Sequence, residues 1–128
     1  MSAPGVPPVV KQLSQEQIAR YADASGDHNP IHVDEAFARS TPFKGTIAHG
    51  MLVLAAMGEM MAAAFGERWL ARGKLRVRFR APARPNDELT ASATAQSPRN
   101  GSWVYAVECR NQQGELLISG TAEVPSDG

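Results

Sequence analysis

The residues best suited to chemistry in this sequence lie at positions 26–32, which read GDHNPIH. Asp27 supplies a carboxylate and His32 an imidazole, with the turn-forming pair Asn29-Pro30 between them. A chain reversal there can bring both groups onto one small molecule, which a continuous helix would not do at this spacing. A carboxylate that binds water and an imidazole that accepts its proton form a general acid–base pair. Asp27 and His32 are therefore the candidate catalytic residues.

A third candidate group is the main-chain N–H of Gly50, which follows Ala48-His49 at the start of the longest apolar stretch. The first N–H groups of a helix lack intrahelical acceptors, and glycine permits close approach of a ligand. Such a donor stabilises an oxygen that gains negative charge, by roughly 2.7–4 kcal/mol. Combined with groups that handle water, it suggests hydration of a double bond conjugated to a carbonyl.

Helices are predicted to position these groups. A Ser-x-x-Gln capping box opens a helix over residues 14–24, and an Asn-Pro pair opens a short one over residues 31–39. His32 would lie in the first turn of the second helix, where the helix dipole disfavours imidazolium. Residues 48–65 are apolar nearly all round, which predicts a buried helix that ends at Gly66.

After residue 73 the hydrophobic period changes from 3.6 to 2, which is typical of strands. Four sequential strands are predicted, over residues 74–80, 88–95, 103–109 and 115–124, with residues 9–13 as an edge strand or an entry arm. Short turns would join the four strands into an antiparallel meander that covers the buried helix. The expected fold class is a two-layer α+β domain with one central helix.

Composition limits the function classes. The chain has 128 residues, enough for a single domain, and its 13 basic residues balance its 13 acidic ones. Nothing in that balance favours a nucleic-acid or membrane partner. The single cysteine, Cys109, fits a reducing compartment, residues 1–10 lack a secretory pattern, and residues 50–65 are short for a membrane span. We expect a soluble cytoplasmic protein.

The motif around Asp27 resembles that of a known family. Tyr21, the run SGDHNPIH at 25–32 and Ala38 are similar to the hydratase motif of the MaoC-like proteins, and AHGM at 48–51 is similar to the start of their central helix. These proteins are R-specific enoyl-CoA hydratases and related 3-hydroxyacyl-thioester dehydratases with the hot-dog fold, an antiparallel sheet wrapped around a long helix. The resemblance spans nearly the whole chain and implies a single MaoC-like domain over residues 1–128.

The resemblance also implies roles for individual residues. Asp27 and His32 would be the catalytic pair, Asn29 would shape their loop, and the Gly50 amide would bind the thioester carbonyl. It implies a homodimer, or a larger oligomer of dimers, with an acyl-pantetheine channel along the interface. No separate cofactor is implied, because coenzyme A or acyl carrier protein is part of the substrate. One position departs from the pattern: Gly58 stands where some members carry a serine that supports the carboxylate.

Several residues have a simpler structural interpretation. Asp27 alone would be a turn residue and His32 an ordinary helix residue, and only the motif favours catalysis. The three histidines do not have metal-ligand spacing, so no metal is predicted; His28 is expected to be exposed and His49 to be a structural partner of the loop.

Other residue groups are assigned to the core or to the surface. The core is expected to contain Cys109 and the methionines Met51, Met57, Met60 and Met61, and these methionines could instead line the pocket for the acyl chain. The row Arg76, Arg78 and Arg80 is interpreted as a solvated strand face. It could instead attract the phosphates of coenzyme A or face another dimer.

The sequence therefore predicts an enzyme that adds water to a 2-enoyl thioester to give the R-3-hydroxyacyl thioester, or catalyses the reverse reaction. A thioesterase on the same fold and a non-catalytic acyl-thioester-binding subunit remain the alternatives.

Overall fold

A five-stranded antiparallel sheet packs against one long helix in the computed structural model of the protein, which describes residues 2–126. The strands are β1 (Val9–Gln12), β2 (Lys74–Phe79), β3 (Glu88–Ala95), β4 (Ser102–Arg110) and β5 (Leu116–Pro125). The helices are α1 (Gln15–Ser25), α2 (Pro30–Val33), α3 (Glu35–Arg39), α4 (Gly50–Phe65) and α5 (Glu67–Arg72). The predicted α+β class with a central helix is confirmed.

The sheet order is β1-β3-β4-β5-β2, and each neighbouring pair is antiparallel. β1 is an edge strand, which was one of the two predictions for residues 9–13, the other being an entry arm. Strands β3, β4 and β5 form part of the predicted meander. The placement of β2 beside β3 was wrong, because β2 pairs with β5 at the far edge, with Val77 opposite Gly120. The proline-containing segment 80–87 does not form a tight hairpin. It crosses the fold instead, where Ala83 accepts a hydrogen bond from Ala48 at 2.8 Å and Asn86 donates one to Leu13 at 2.8 Å.

Helix α4 is buried on one face only. Val53, Ala56, Met57, Met60 and Met61 are buried. The opposite face includes the exposed Ala55 and Glu59, so the helix is not enclosed on all sides within the protomer. Met51 was wrongly assigned to the core: it is 59% exposed, because it lies on the same exposed face of α4 as Ala55 and Glu59, which follow it by four and eight residues.

The helices before α4 follow their capping signals. Ser14 and Gln17 form the predicted capping box, and Gly26 closes α1 with a φ of 80°. The single helix predicted over residues 31–39 is in fact α2 and α3, because the Asp34 side chain accepts a hydrogen bond from the N–H of Phe37 at 3.1 Å and begins a new helix. Gly66 ends α4 as predicted, but the short helix α5 that follows was not predicted.

Within residues 2–126, no helix combines the length and the apolar character that crossing a membrane requires.

Candidate active site

Asp27 lies in the loop between α1 and α2 and is held at three of its atoms. Its Oδ1 accepts a hydrogen bond from the N–H of Asn29 at 3.2 Å, and its own N–H donates to Ser25 Oγ at 3.2 Å. Its main-chain oxygen accepts a hydrogen bond from His49 Nε2 at 2.9 Å. The side chain is nevertheless 55% exposed, so Asp27 is fixed in position and open to a ligand.

His32 faces Asp27 with a defined tautomer. Its Nδ1 lies 2.8 Å from the carbonyl oxygen of Ile47. Because a carbonyl oxygen can only accept, Nδ1 carries the proton, and the neutral ring has its lone pair on Nε2. That Nε2 lies 3.8 Å from Asp27 Oδ2, too far for a direct hydrogen bond and close enough for one small polar molecule to contact both atoms.

Helix α2 offers little of the dipole that was predicted to act on His32. Helix α2 has only four residues and ends at Val33, one residue after His32, so it presents no extended helix dipole to the ring. The tautomer depends instead on the hydrogen bond to Ile47, a contact between distant segments that sequence spacing does not reveal.

His49 is a structural partner of the loop, as predicted. It is only 4% exposed, and besides donating to Asp27 it stacks on His32, with the ring centroids 3.8 Å apart and the planes at 26°. The Tyr21 ring also packs against the His49 ring, with the centroids 4.8 Å apart. The Nδ1 atom of His49 is buried and has no hydrogen-bond partner among the residues that the structure describes. One buried ring therefore contacts both members of the candidate pair.

Asp27, His32 and His49 have potential ligand atoms within 4.8 Å of one another, a proximity that the spacing of the histidines did not predict. One nitrogen of each ring already hydrogen-bonds a main-chain carbonyl, of Ile47 for His32 and of Asp27 for His49. The grouping is accounted for by these bonds and by the ring stacking, so proximity alone does not assign a metal centre.

Gly50 is the first residue of α4, and its N–H has no acceptor within residues 2–126. The residue is exposed. A Cβ at this position would lie 3.0 Å from Phe79 Cε1, closer than ordinary van der Waals contact. The absence of a side chain therefore keeps the space in front of this free donor accessible beside the Phe79 ring.

His32 and Gly50 line one cleft of about 350 Å³. Most of its other lining residues are apolar; they include Phe43, Ile47, Val53, Phe79, Ala81 and Ile118. Asp27 is not part of this lining and adjoins the cleft through His32. The sequence did not predict that Phe79, the last residue of β2, and Arg80, which follows it, would line the cleft. The reason is that the predicted position of β2 in the sheet was wrong.

A polar network holds the chain on either side of the site. Gln15 donates from Nε2 to the carbonyl of His32 at 2.9 Å, and its Oε1 lies 2.8 Å from Thr46 Oγ1. Glu35 accepts hydrogen bonds from the N–H and the hydroxyl of Thr46, and these bonds lower the pKa of the Glu35 carboxyl.

His28 is exposed, as predicted, and its side chain points away from the site toward Asp23. The hydrogen bond to the Asp23 carboxylate raises the pKa of the His28 imidazole.

Comparison with known proteins relates this site to one family. A sequence profile described as a MaoC like domain matches residues 3–115. The (R)-specific enoyl-CoA hydratase of Rhodospirillum rubrum is 34% identical over 122 residues, which cover 91% of this chain and 81% of that protein. The 3-hydroxybutyryl-CoA dehydratase of Methylorubrum extorquens is 36% identical over 120 residues, covering 89% and 73%. The unliganded R-hydratase PhaJ1 of Pseudomonas aeruginosa has a TM-score of 0.81 and 26% identity, over 98% of this chain and 84% of that one. This chain therefore belongs to the MaoC-like domain family and has the hot-dog fold of the R-hydratases.

Proposed function

We propose that this protein is an R-specific 2-enoyl-CoA hydratase, or 3-hydroxyacyl-thioester dehydratase, and hence a hydro-lyase. The observation that carries the proposal is the 3.8 Å separation of His32 Nε2 and Asp27 Oδ2 beside a cleft that also contains the free N–H of Gly50. The names of the relatives in Rhodospirillum rubrum and Methylorubrum extorquens support the same reaction.

In the proposed reaction, one water molecule binds between Asp27 and His32. As its oxygen bonds to C3 of the enoyl group, one of the two side chains takes its proton, and the C2–C3 π electrons move toward the thioester carbonyl. The N–H of Gly50 donates to that oxygen while it carries enolate charge. A proton from the pair then bonds to C2, so H and OH add across the double bond and the two side chains return to their starting protonation.

The cleft also suggests how the substrate is accommodated. Its largely apolar lining suits an acyl chain, and Phe79 at its edge is 55% exposed in the protomer. Met51, next to Gly50, is also exposed. Exposed apolar side chains of this size favour an interface, so we propose a homodimer that covers this region. The free Cys109 thiol is consistent with the expected cytoplasmic location.

No metal and no separate cofactor take part in this proposal. The proposed proton transfers use only the carboxylate of Asp27, the Nε2 atom of His32 and the N–H of Gly50, so the reaction as proposed requires no metal. We therefore expect turnover to be unaffected by a chelator, and loss of turnover after chelation that added metal restores would contradict this point.

The test of the proposed function is incubation with crotonyl-CoA. We expect loss of the enoyl absorbance and formation of (R)-3-hydroxybutyryl-CoA, identified by chiral analysis. Formation of the S product, or no reaction, would contradict the proposal. Release of free thiol, detected with a thiol reagent, would indicate a thioesterase. Thermal stabilisation by an acyl-CoA without turnover would indicate a non-catalytic binding subunit.

A further inference from the structure

The segment 46–49, which leads into α4, carries groups that hold both members of the candidate pair. The carbonyl oxygen of Ile47 accepts a hydrogen bond from His32 Nδ1 at 2.8 Å. His49 donates to the main-chain oxygen of Asp27 at 2.9 Å. The segment belongs to no helix or strand, so individual hydrogen bonds decide where it lies. The residues that anchor it therefore bear directly on the geometry of the pair.

The middle and the start of this segment are anchored in different ways. In the middle, the main-chain N–H of Ile47 donates to the carbonyl of Ile31 at 3.1 Å, and that of Ala48 donates to the carbonyl of Ala83 at 2.8 Å. At the start, the buried Thr46 is bound by side chains instead, so its anchoring depends on which residue stands at position 46.

The Thr46 hydroxyl faces two acceptors. It lies 2.8 Å from Gln15 Oε1 on α1 and 3.1 Å from Glu35 Oε2 on α3. An amide oxygen and an ionised carboxylate only accept, so the hydroxyl is the donor in both contacts. The N–H of Thr46 donates to the same Glu35 oxygen at 3.3 Å, whereas no other donor within residues 2–126 reaches Gln15 Oε1. The placement of the Gln15 amide therefore depends on the Thr46 hydroxyl.

Gln15 carries this contact on to His32. Its Nε2 donates to the main-chain oxygen of His32 at 2.9 Å while its Oε1 accepts from Thr46. Only the amide nitrogen donates and only the amide oxygen accepts, so a single orientation of the side chain serves both partners. Thr46 thus acts on His32 by two routes, through Gln15 to its main chain and through the adjoining Ile47 carbonyl to its ring.

We propose that Thr46 is a positioning residue of this site. It does not touch the reacting atoms. Its hydroxyl holds α1 and the segment 46–49 in one arrangement, which keeps the proton of His32 on Nδ1 and its Nε2 facing Asp27 at 3.8 Å. The proposal rests on the proposed function, because it assigns Thr46 to the placement of the catalytic pair, but its effect on His32 is measurable without turnover.

Two substitutions separate positioning from packing. Thr46→Val keeps the side-chain volume and removes the hydroxyl, whereas Thr46→Ser keeps the hydroxyl and removes a buried methyl group. In crotonyl-CoA hydration, we expect Thr46→Val to lower kcat by about three- to tenfold with little change in KM. Thr46→Ser should retain the wild-type kcat although the lost methyl group lowers its melting temperature.

The control is Thr90→Val, which makes the same side-chain change in β3 and should leave kcat unchanged. A purely structural role would make kcat follow thermal stability, and the two variants at position 46 are chosen so that rate and stability diverge. A kcat for Thr46→Ser no higher than that for Thr46→Val would overturn the proposal.

A spectroscopic measurement separates this proposal from the proposed function, because it needs no substrate. The side-chain ¹⁵N chemical shifts of His32, assigned with His32→Gln, distinguish a ring protonated on Nδ1 from one protonated on Nε2. At about pH 8, where an ordinary imidazole is neutral, we expect the Nδ1-protonated form in the wild type and in Thr46→Ser. In Thr46→Val the shifts should move toward those of a mixture of the two forms, which would support the proposal even if no hydration were found. Unchanged shifts in Thr46→Val would overturn it.

Discussion

The imidazole rings of His32 and His49 stack with their centroids 3.8 Å apart. The same His49 ring donates from Nε2 to the main-chain oxygen of Asp27 at 2.9 Å. A single buried side chain at the start of α4 therefore contributes to the placement of both groups of the candidate pair. The separation of Asp27 Oδ2 from His32 Nε2 depends on this arrangement as well as on the loop that connects them.

We predict that His49→Phe lowers kcat/KM while the protein stays folded. The ring stacking is kept, but the hydrogen bond to Asp27 is lost, so the carboxylate is less well placed. Loss of one such bond corresponds to about 0.5–1.5 kcal/mol, or about two- to twelvefold in rate if it acts fully on the transition state. Steady-state hydration and thermal unfolding measure the two effects. Wild-type kcat/KM in a folded His49→Phe protein would show that the bond does not position Asp27.

Gly50→Ala is predicted to reduce activity more than stability. The added Cβ would lie 3.0 Å from the Phe79 ring and beside the N–H proposed to bind the thioester oxygen. The exposed ring can shift, so the free energy of unfolding should change by less than about 1 kcal/mol, since alanine also favours the helix. We expect kcat to fall by about tenfold or more. In the double variant Gly50→Ala/Phe79→Leu, restored activity would mean that the ring, and not access to the amide, causes the loss.

The sequence was sufficient for the local structure around the site. Capping patterns predicted α1 and the entry to α2, and the motif predicted that Asp27 and His32 would face each other. These features depend on neighbours within a few residues. The hydrogen bond between His32 and Ile47 and the stacking on His49 join segments 15 and 17 positions apart, and no local pattern encodes them.

The position of β2 in the sheet likewise depends on contacts between distant segments, which local sequence patterns do not reveal. Alternation along Lys74–Phe79 predicted a strand but not its neighbour. Pairing with β5 requires a close approach of two main chains at Gly120, and that requirement is visible only in three dimensions. Because β2 carries Phe79 and Arg80 to the cleft, the error in sheet order also left these two residues out of the predicted site.

Gly120→Ala is predicted to destabilise the protein. A Cβ there would collide with the main-chain oxygen of Arg76 and lie 2.9 Å from the Cα of Val77, so β2 could not keep its place beside β5. We expect a loss of about 1–3 kcal/mol or more in the free energy of unfolding, measured by denaturant titration. Gly58→Ala, inside α4, is the control: nothing lies within 4 Å of its added Cβ, and alanine should stabilise the helix by about 0.5–1 kcal/mol. Equal stability of the two variants would contradict the β2–β5 contact.

The thiol of Cys109 is predicted to be unreactive in the folded protein. The residue is fully buried in β4, and burial raises its pKa from 9.0 to about 11. A thiol reagent should therefore modify it only after unfolding. Because the folded state favours the protonated thiol, this group's contribution to stability is complete below pH 9 and decreases as the pH rises toward 11. Between pH 9 and pH 11, the free energy of unfolding of the wild type should therefore decrease more than that of Cys109→Ala. If the free energies of unfolding of the two proteins changed in parallel with pH, the raised pKa of Cys109 would be contradicted.

The most direct test of the account is the rate of crotonyl-CoA hydration by Asp27→Asn, His32→Gln and the control His28→Gln. His28 lies in the same loop but is exposed and points to Asp23, so its variant should retain wild-type kcat/KM. Each of the other two should lose about 10²–10⁴-fold in kcat, the usual contribution of a general acid or base, without loss of the fold. Wild-type rates in folded Asp27→Asn and His32→Gln proteins would contradict the proposed catalytic pair.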